Sequence, residues 1–356
     1  MHRFLTVEYG NESSRTHDYG AVARSRVNLA REEVAALAHA RPDEVFFTSG
    51  ATEANNLAIL GLAEALDREG RRHIVTSAME HKAVLEPMAL LEKRGFAVTR
   101  IAGDASGLVD PEELVAAVGT ETGLVSLMHV NNETGTIQRI AEVAERLSPQ
   151  VYLHVDAAQG LGKEFGEIAG PRVELISGSA HKLHGPKGIG VLIARRREFR
   201  RPPLAPLMAG GGQERGIRPG TIPVHLVAGF GAAARAAIEE REERVSQNRA
   251  FRQRVLAALQ PLEPIINGHD EYTVPQVLNV SFPGIDAEAA IVATKDLVAI
   301  SNGSACSSQS YERSHVLEAM GLDEQRIGSA LRISWCHLTP DPDWSAFVER
   351  LTALRG

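Results

Sequence analysis

Short apolar runs alternate with longer amphipathic stretches over the first half of the chain. Five runs predict strands, at residues 45–48, 73–77, 123–130, 151–156 and 175–179. Between most of these runs, Leu, Ile, Val and Ala recur at three- and four-residue spacing, which predicts helices over 51–66, 82–93, 111–118 and 138–147. This alternation predicts an α/β fold with a large, mostly parallel sheet and helices on both of its faces.

The pattern changes after residue 200. Residues 201–223 carry ten Pro and Gly residues, a length without regular structure that compact domains keep mainly for function. The elements predicted after it are a charged helix over 226–259, a strand over 277–282, a helix over 286–294 and a strand over 330–335. We therefore predict a large domain over 15–258 and a smaller α+β domain made of 1–14 and 259–356.

Composition narrows the function classes. The 356 residues hold 38 Lys and Arg against 45 Asp and Glu, a net charge of −7 that disfavours a broad nucleic-acid footprint. No apolar run approaches the roughly 18 residues of a membrane helix, and the first residues do not resemble a signal peptide. We expect a cytoplasmic protein with no membrane association and no direct nucleic-acid binding.

The two cysteines have different surroundings. Two thiols are too few for a disulfide framework and lack zinc-site spacing, which fits a reducing compartment. Cys336 follows an alternating run, which predicts a thiol packed in the core. Cys306 lies among Gly, Ser, Ala and Asn, which predicts an exposed loop whose thiol can reach a substrate.

Three predicted strands end beside residue types that bind ligands or take part in catalysis. Residues 48–53 join a strand to a helix, so hydroxyls and N–H groups converge as in phosphate sites, although an ordinary capped turn has the same pattern. Asp156 ends the strand predicted over 151–156, and Lys182 follows the strand predicted over 175–179. A lone lysine is usually a surface residue. An Asp and a Lys at strand ends are together what pyridoxal phosphate (PLP) chemistry needs.

Six motifs carry a family resemblance. They lie at residues 46–56, 79–81, 128–135, 155–159, 180–188 and 303–308. In this order they resemble the class V aminotransferase family of fold-type-I PLP enzymes, and within it the cysteine desulfurases, with a match from about residue 4 to 335. The resemblance implies a PLP-dependent transferase fold.

The resemblance also implies roles for individual residues. Lys182 matches the Schiff-base lysine, Asp156 the residue at the pyridine nitrogen, Gln159 the residue at the ring hydroxyl, and His81 the ring-stacking residue that moves protons. Residues matching the phosphate site are Ala51, Thr52, Ser179, His181 and, toward the neighbouring subunit's phosphate, Thr221. Asn132 and Arg332 match the substrate-orienting positions, and Cys306 matches the nucleophile that accepts sulfur. No metal is implied.

The implied reaction converts L-cysteine to L-alanine and leaves a persulfide on Cys306. A homodimer and a sulfur-acceptor protein are implied as partners. Iron–sulfur scaffolds, tRNA thiolation enzymes and DNA phosphorothioation systems are all supplied by such enzymes, and the overall resemblance favours the phosphorothioation branch. The family's usual opening strand, ahead of the segment matching residues 4–14, is not in the sequence. Either the given start is late or the truncation is real, and in the second case we expect it to affect turnover more than cofactor binding.

Other functions share parts of this pattern. An aminotransferase or a selenocysteine lyase uses the same Lys and Asp without requiring a thiol in a loop. A non-catalytic sulfur relay would need no PLP. The S-x-x-K sequence at 179–182 suggests a serine hydrolase, but the companion S-D-N, K-T-G and G-x-S-x-G motifs do not occur in the sequence.

Overall fold

A computed structural model describes residues 1–269, 271–302 and 313–355. The chain forms two compact units. Unit 1 contains residues 1–101, 111–129 and 139–240, and unit 2 contains residues 102–110, 130–138 and 241–356. These bounds differ from the predicted ones in two ways. Residues 1–14 group with unit 1, where the Met1 side chain lies against Gly229, and residues 102–110, 130–138 and 241–258 group with unit 2.

Unit 1 is built on a seven-stranded sheet of order β1-β7-β6-β5-β4-β2-β3. Its strands are β1 (Val45–Thr48), β2 (His73–Ser77), β3 (Ala97–Ile101), β4 (Thr122–Ser126), β5 (Tyr152–Asp156), β6 (Leu175–Ser179) and β7 (Gly190–Ala194). Only β7 runs antiparallel to its neighbours β1 and β6. The remaining pairs are parallel, which confirms the predicted mostly parallel sheet.

The helices of unit 1 lie on both sides of this sheet. They are α1 (His2–Thr6), α2 (Asp18–Ala36), α3 (Ala51–Arg68), α4 (Lys82–Glu92), α5 (Pro111–Ala116), α6 (Ile140–Arg146) and α7 (Val224–Glu239). Apolar residues of α3 and α4 share one buried cluster with Phe46 of β1. The next residue, Phe47, points to the opposite face and contacts Phe230 of α7, with ring centroids 6.3 Å apart.

Unit 2 combines a three-stranded antiparallel sheet with helices. Its elements are α8 (Arg241–Leu259), β8 (Ile265–Ile266), β9 (Val277–Ser281), α9 (Ala287–Thr294), α10 (His315–Ala319), α11 (Glu324–Gly328), β10 (Ala330–Ser334) and α12 (Trp344–Thr352). The sheet order is β10-β9-β8. Phe251, Trp335 and Phe347 help to form its apolar core. The side chains of Asp286 and Ser314 cap α9 and α10 by accepting hydrogen bonds from backbone N–H groups in the first turn of each helix.

Two details differ from the sequence prediction. The charged helix expected over 226–259 is two helices, since the backbone leaves helical geometry at Glu240, between α7 and α8. Strands β3, β7 and β8 were not predicted, nor were helices α1, α2, α10, α11 and α12. Across the described part of the chain, no helix is both long and apolar enough to span a bilayer.

Candidate active site

Three predicted site elements meet at one edge of the sheet in unit 1. β5 ends at Asp156, and the parallel strand β6 ends at Ser179, directly before the helical turn Ala180–Leu183 that carries Lys182. β1 runs in the same direction as β6, because both are antiparallel to β7. Since open α/β sheets bind ligands at this edge, the fold brings the predicted acid, lysine and helix N-terminus together.

Asp156 is a buried carboxylate held by two donors. Its Oδ2 accepts from Nδ2 of Asn55 at 2.8 Å, and its Oδ1 accepts from the N–H of Ala158 at 2.9 Å. Burial raises the pKa of Asp156, while these hydrogen bonds and the charges of His81 and Lys182 act to lower it. The carboxylate is therefore fixed in position and lies within electrostatic range of His81 and Lys182.

His81 is oriented by the start of α4. It is the N-cap residue of this helix, and its Nδ1 accepts from the N–H of Ala83 at 3.0 Å. This assigns the proton of the neutral ring to Nε2. The ring is half-buried, as is Gln159, three residues beyond Asp156 in the turn that follows β5.

The predicted phosphate site lies where α3 begins. A Cβ atom on Gly50 would lie 3.8 Å from Oγ of the buried Ser179, so the helix N-terminus adjoins the end of β6. Ser179 Oγ is in turn 2.9 Å from Nδ1 of the exposed His181. Thr52 is exposed in the first turn of α3, next to the half-buried Ala51. Hydroxyls and helix N–H groups together form a suitable phosphate site.

Three lysines contribute positive charge at this site. The pKa of His181 is lowered by burial and by the charges of Lys182, Lys187 and Lys163. Three lysines therefore lie near the end of β6. A bound phosphate would be stabilised by this field as well as by the hydrogen-bond donors.

The long loop over 201–223 is tied to the same turn. Arg218 Nε donates to Glu53 Oε1 at 2.8 Å, and Glu53 Oε2 accepts from the N–H of Ser49 at 2.7 Å. The buried Glu214 accepts from the N–H of Phe47 at 2.8 Å. Thr221 follows as an exposed residue of this loop. The loop is therefore held against both the start of α3 and strand β1.

Unit 2 holds the two predicted substrate-orienting residues. Arg332 on β10 is half-buried, and its Nη1 donates to the carbonyl of Asn132 at 3.0 Å. Asn132 is also half-buried. The structure thus brings this pair into direct contact.

The structure bears on only one of the two cysteine predictions. Cys306 lies outside the described residues. Cys336 is half-buried rather than packed in the core, because β10 ends at Ser334. Its Sγ lies 3.4 Å from the N–H of Leu338 and 3.6 Å from the hydroxyl of Thr339. The predicted core position of Cys336 was therefore wrong.

Sequence reasoning missed two residues beside Asp156. Asn55 is fully buried on α3 and supplies a hydrogen bond to the carboxylate. Glu80 is also fully buried, and its Oε1 accepts from the N–H of Met128 at 2.6 Å. Burial and the charge of Asp156 raise the pKa of Glu80 well above its usual range. Both lie inside quoted motifs, but polar residues such as Asn56 and His81 stand directly beside them, so the local sequence carries no signal that marks them.

Comparisons with known proteins identify the family of this chain. The aminotransferase class-V family model matches residues 1–346. A cysteine desulfurase IscS from Vibrio cholerae is 45% identical over 353 residues, which cover 98% of this chain and 86% of that protein. A second, from Vibrio campbellii, is 44% identical over 355 residues, covering 99% and 87%.

Solved structures give the same result. DndA from Streptomyces lividans superposes with a TM-score of 0.84 at 47% identity, covering 94% of each chain. A structure of SspA in complex with cysteine superposes with a TM-score of 0.81 at 33% identity, covering 93% of this chain and 92% of that one. The chain therefore belongs to the aminotransferase class-V family, and within it to the cysteine desulfurases.

Proposed function

We propose that the chain binds PLP, converts L-cysteine to L-alanine and receives the sulfur as a persulfide on Cys306. The observation that carries this proposal is Asp156, a buried carboxylate held by Asn55 and Ala158 at a strand end beside Lys182. A buried acid fixed in this way, close to a lysine, is what a PLP site requires.

The residues of unit 1 fit PLP on chemical grounds. Asp156 would hold a proton at the ring nitrogen, Gln159 would bind the ring hydroxyl, and Lys182 would bind the cofactor covalently. Ala51, Thr52, Ser179 and His181 supply N–H, hydroxyl and imidazole groups for the phosphate. When bound, PLP supplies an electron sink for the electron pair released at the substrate's Cα.

The remaining residues act on the substrate. Arg332 is proposed to bind the L-cysteine carboxylate and Asn132 to orient it. His81, whose Nδ1 is occupied by the Ala83 N–H, would exchange protons through Nε2. The Cys306 thiolate attacks the substrate sulfur, so that one S–S bond forms as the Cβ–S bond breaks. The substrate carbon is reduced, the thiol is oxidised to a persulfide, and L-alanine leaves.

A homodimer is proposed as the active form, with Thr221 reaching the phosphate bound by the neighbouring subunit. Apolar side chains exposed near the N-terminus support a partner surface. Val7 is 63% exposed, and Tyr9 and Tyr19 are 72% and 59% exposed with stacked rings. Exposed apolar patches of this kind often mark sites of protein–protein interaction.

The sulfur acceptor is a partner protein, and we propose the DNA phosphorothioation branch as its pathway. The alternative sulfur acceptors are iron–sulfur scaffolds and tRNA thiolation enzymes. The genes that neighbour this one would show which of the three pathways it supplies. Because Cys306 must stay a thiol between turnovers, the reducing cytoplasm is the proposed compartment.

The test is alanine formation from L-cysteine by the PLP-loaded chain, with Cys306→Ser as the comparison. We expect alanine from the wild type and none from the variant. Formation of 3-mercaptopyruvate when a keto acid is supplied to accept the amino group would favour an aminotransferase. Alanine formed from selenocysteine but not from cysteine would favour a selenocysteine lyase.

A further inference from the structure

Two residues of unit 2 hold the chain on either side of residues 303–312. Before this segment, Ser301 pairs with Arg332 through two backbone hydrogen bonds, of 3.2 and 2.6 Å. After it, Ser314 Oγ donates to Oε2 of Glu133. Arg332 and Glu133 therefore anchor the two points at which the chain enters and leaves the segment that carries Cys306.

Glu133 is itself firmly held. Its side chain is buried, with 3% of the residue exposed. Its N–H donates to Oδ1 of Asn131 at 2.8 Å, and its carbonyl accepts from Nδ2 of Asn279 at 3.3 Å. Asn279 accepts a further hydrogen bond from Asn267, 2.8 Å away. The Glu133 backbone is thus fixed by a buried amide network, and its carboxylate has little freedom to move.

Glu133 and Arg332 also interact through their charges. Burial raises the pKa of Glu133, whereas the Ser314 hydrogen bond and the charges of His315 and Arg332 act to lower it. Arg332 donates to the carbonyl of Asn132, the residue directly before Glu133. The guanidinium is therefore held by a backbone carbonyl on one side and attracted by a buried carboxylate nearby.

We propose that Glu133 is a positioning residue with two separable roles. Its negative charge orients the Arg332 guanidinium for the substrate carboxylate. Its hydrogen bond to Ser314 fixes the start of α10, where the chain returns from residues 303–312. The first role rests on the proposed function, since it assumes that Arg332 binds L-cysteine; the second does not.

Two substitutions separate these roles. Glu133→Gln removes the charge but keeps a group that can hydrogen-bond with Ser314, and Glu133→Ala removes both. Glu318→Gln is the matched control, because Glu318 is an exposed acid on α10 itself. The measurements are KM and kcat for L-cysteine in the PLP-loaded enzyme and hydrogen exchange of the α10 amides, His315–Ala319, without substrate.

We expect Glu133→Gln and Glu133→Ala each to raise KM by about fivefold or more with kcat less affected, since the attraction between the Glu133 carboxylate and the Arg332 guanidinium is lost. Exchange in α10 should rise about tenfold in Glu133→Ala and stay within about twofold in Glu133→Gln. Glu318→Gln should change neither quantity.

A KM for Glu133→Gln within about twofold of the wild type would overturn the first role. Unchanged α10 exchange in Glu133→Ala would overturn the second. If Glu133→Ala fails to fold, the near-isosteric Glu133→Gln still decides the first role. Exchange of the α10 amides in Glu133→Met then decides the second, because Met fills a similar space, gives Ser314 no oxygen acceptor and leaves the Ser314 cap of α10 in place. A wild type that does not consume L-cysteine would refute the proposed function, and α10 exchange would still test the Ser314 anchor.

Discussion

Asn55 on α3 donates from Nδ2 to Oδ2 of Asp156 at the end of β5, at 2.8 Å, and both residues are buried. The amide joins a helix to a strand end 101 residues further along the chain. It fixes which way the carboxylate points. It also offsets part of the cost of burying the charge, because a hydrogen bond to the ionised form favours that form.

Asn55→Ala should move the acidic limb of the activity profile. The pKa of Asp156 is already raised by burial, and loss of the Asn55 donor raises it further. The ionised carboxylate should then be lost at a higher pH than in the wild type. The measurement is kcat/KM for L-cysteine against pH. Gln247→Ala, an exposed amide on α8, is the control and should leave the profile unchanged.

Lys182→Ala should abolish the yellow colour of lysine-bound PLP. Lys93→Ala is the matched control, because Lys93 is an exposed lysine at the opposite end of α4 from His81. The control should keep the absorbance. Full cofactor absorbance in Lys182→Ala would show that another amine binds PLP.

Arg218→Met should weaken PLP retention by about tenfold, because Arg218 ties the long loop to Glu53 and so to the turn before α3. The quantity to measure is the PLP dissociation constant by fluorescence titration. Arg100→Met removes a comparable Arg–Glu pair that is more exposed on unit 1. Equal losses in both variants would mean that the Glu53 tie has no special effect on the cofactor.

His129 should make the protein less stable at low pH. Burial is the main cause that lowers its pKa from 6.5 to about 4, so the folded protein keeps the ring neutral while the unfolded chain protonates it. Stability from this residue is present above about pH 6.5 and is lost as the pH falls toward 4. Between roughly pH 7.5 and pH 5 the loss is about 2 kcal/mol.

Denaturant unfolding of His129→Leu at both pH values tests this. The variant should lose about 2 kcal/mol less than the wild type on acidification. Neither ring nitrogen of His129 has a hydrogen-bond partner among the described residues, so the substitution removes no such bond. His2→Leu, at an exposed site, is the control. An equal pH dependence of the unfolding free energy in all three proteins would show that His129 does not cause it.

Much of the fold follows from the sequence because burial and periodicity agree there. β1, β2, β5 and β6 are short apolar runs with almost every residue buried, and periodicity locates them closely. β3 was missed because it is an edge strand with one fully buried residue and no clean alternation. β7 was missed because it follows the glycine-rich stretch 185–190, which indicates a loop.

Site residues were predicted where their own segment of sequence marks them. They were missed where their role depends on contact with a second segment. Asp156 and Lys182 each follow their own strand, so local sequence locates them. Asn55 and Glu80 matter because of what other segments bring to them: a carboxylate 101 residues away for Asn55, and the N–H of Met128 for Glu80. No local pattern contains such a pairing. Cys336 was misjudged for a smaller reason, since the strand ends two residues before it.

The central claim is that L-cysteine sulfur passes to Cys306, and mass spectrometry after a single turnover tests it most directly. The PLP-loaded wild type should release one L-alanine and carry one additional sulfur on the peptide containing Cys306. Cys336→Ser should behave in the same way, whereas Cys306→Ser should bind PLP and release no alanine. Additional sulfur on Cys336, or normal alanine release by Cys306→Ser, would contradict the account.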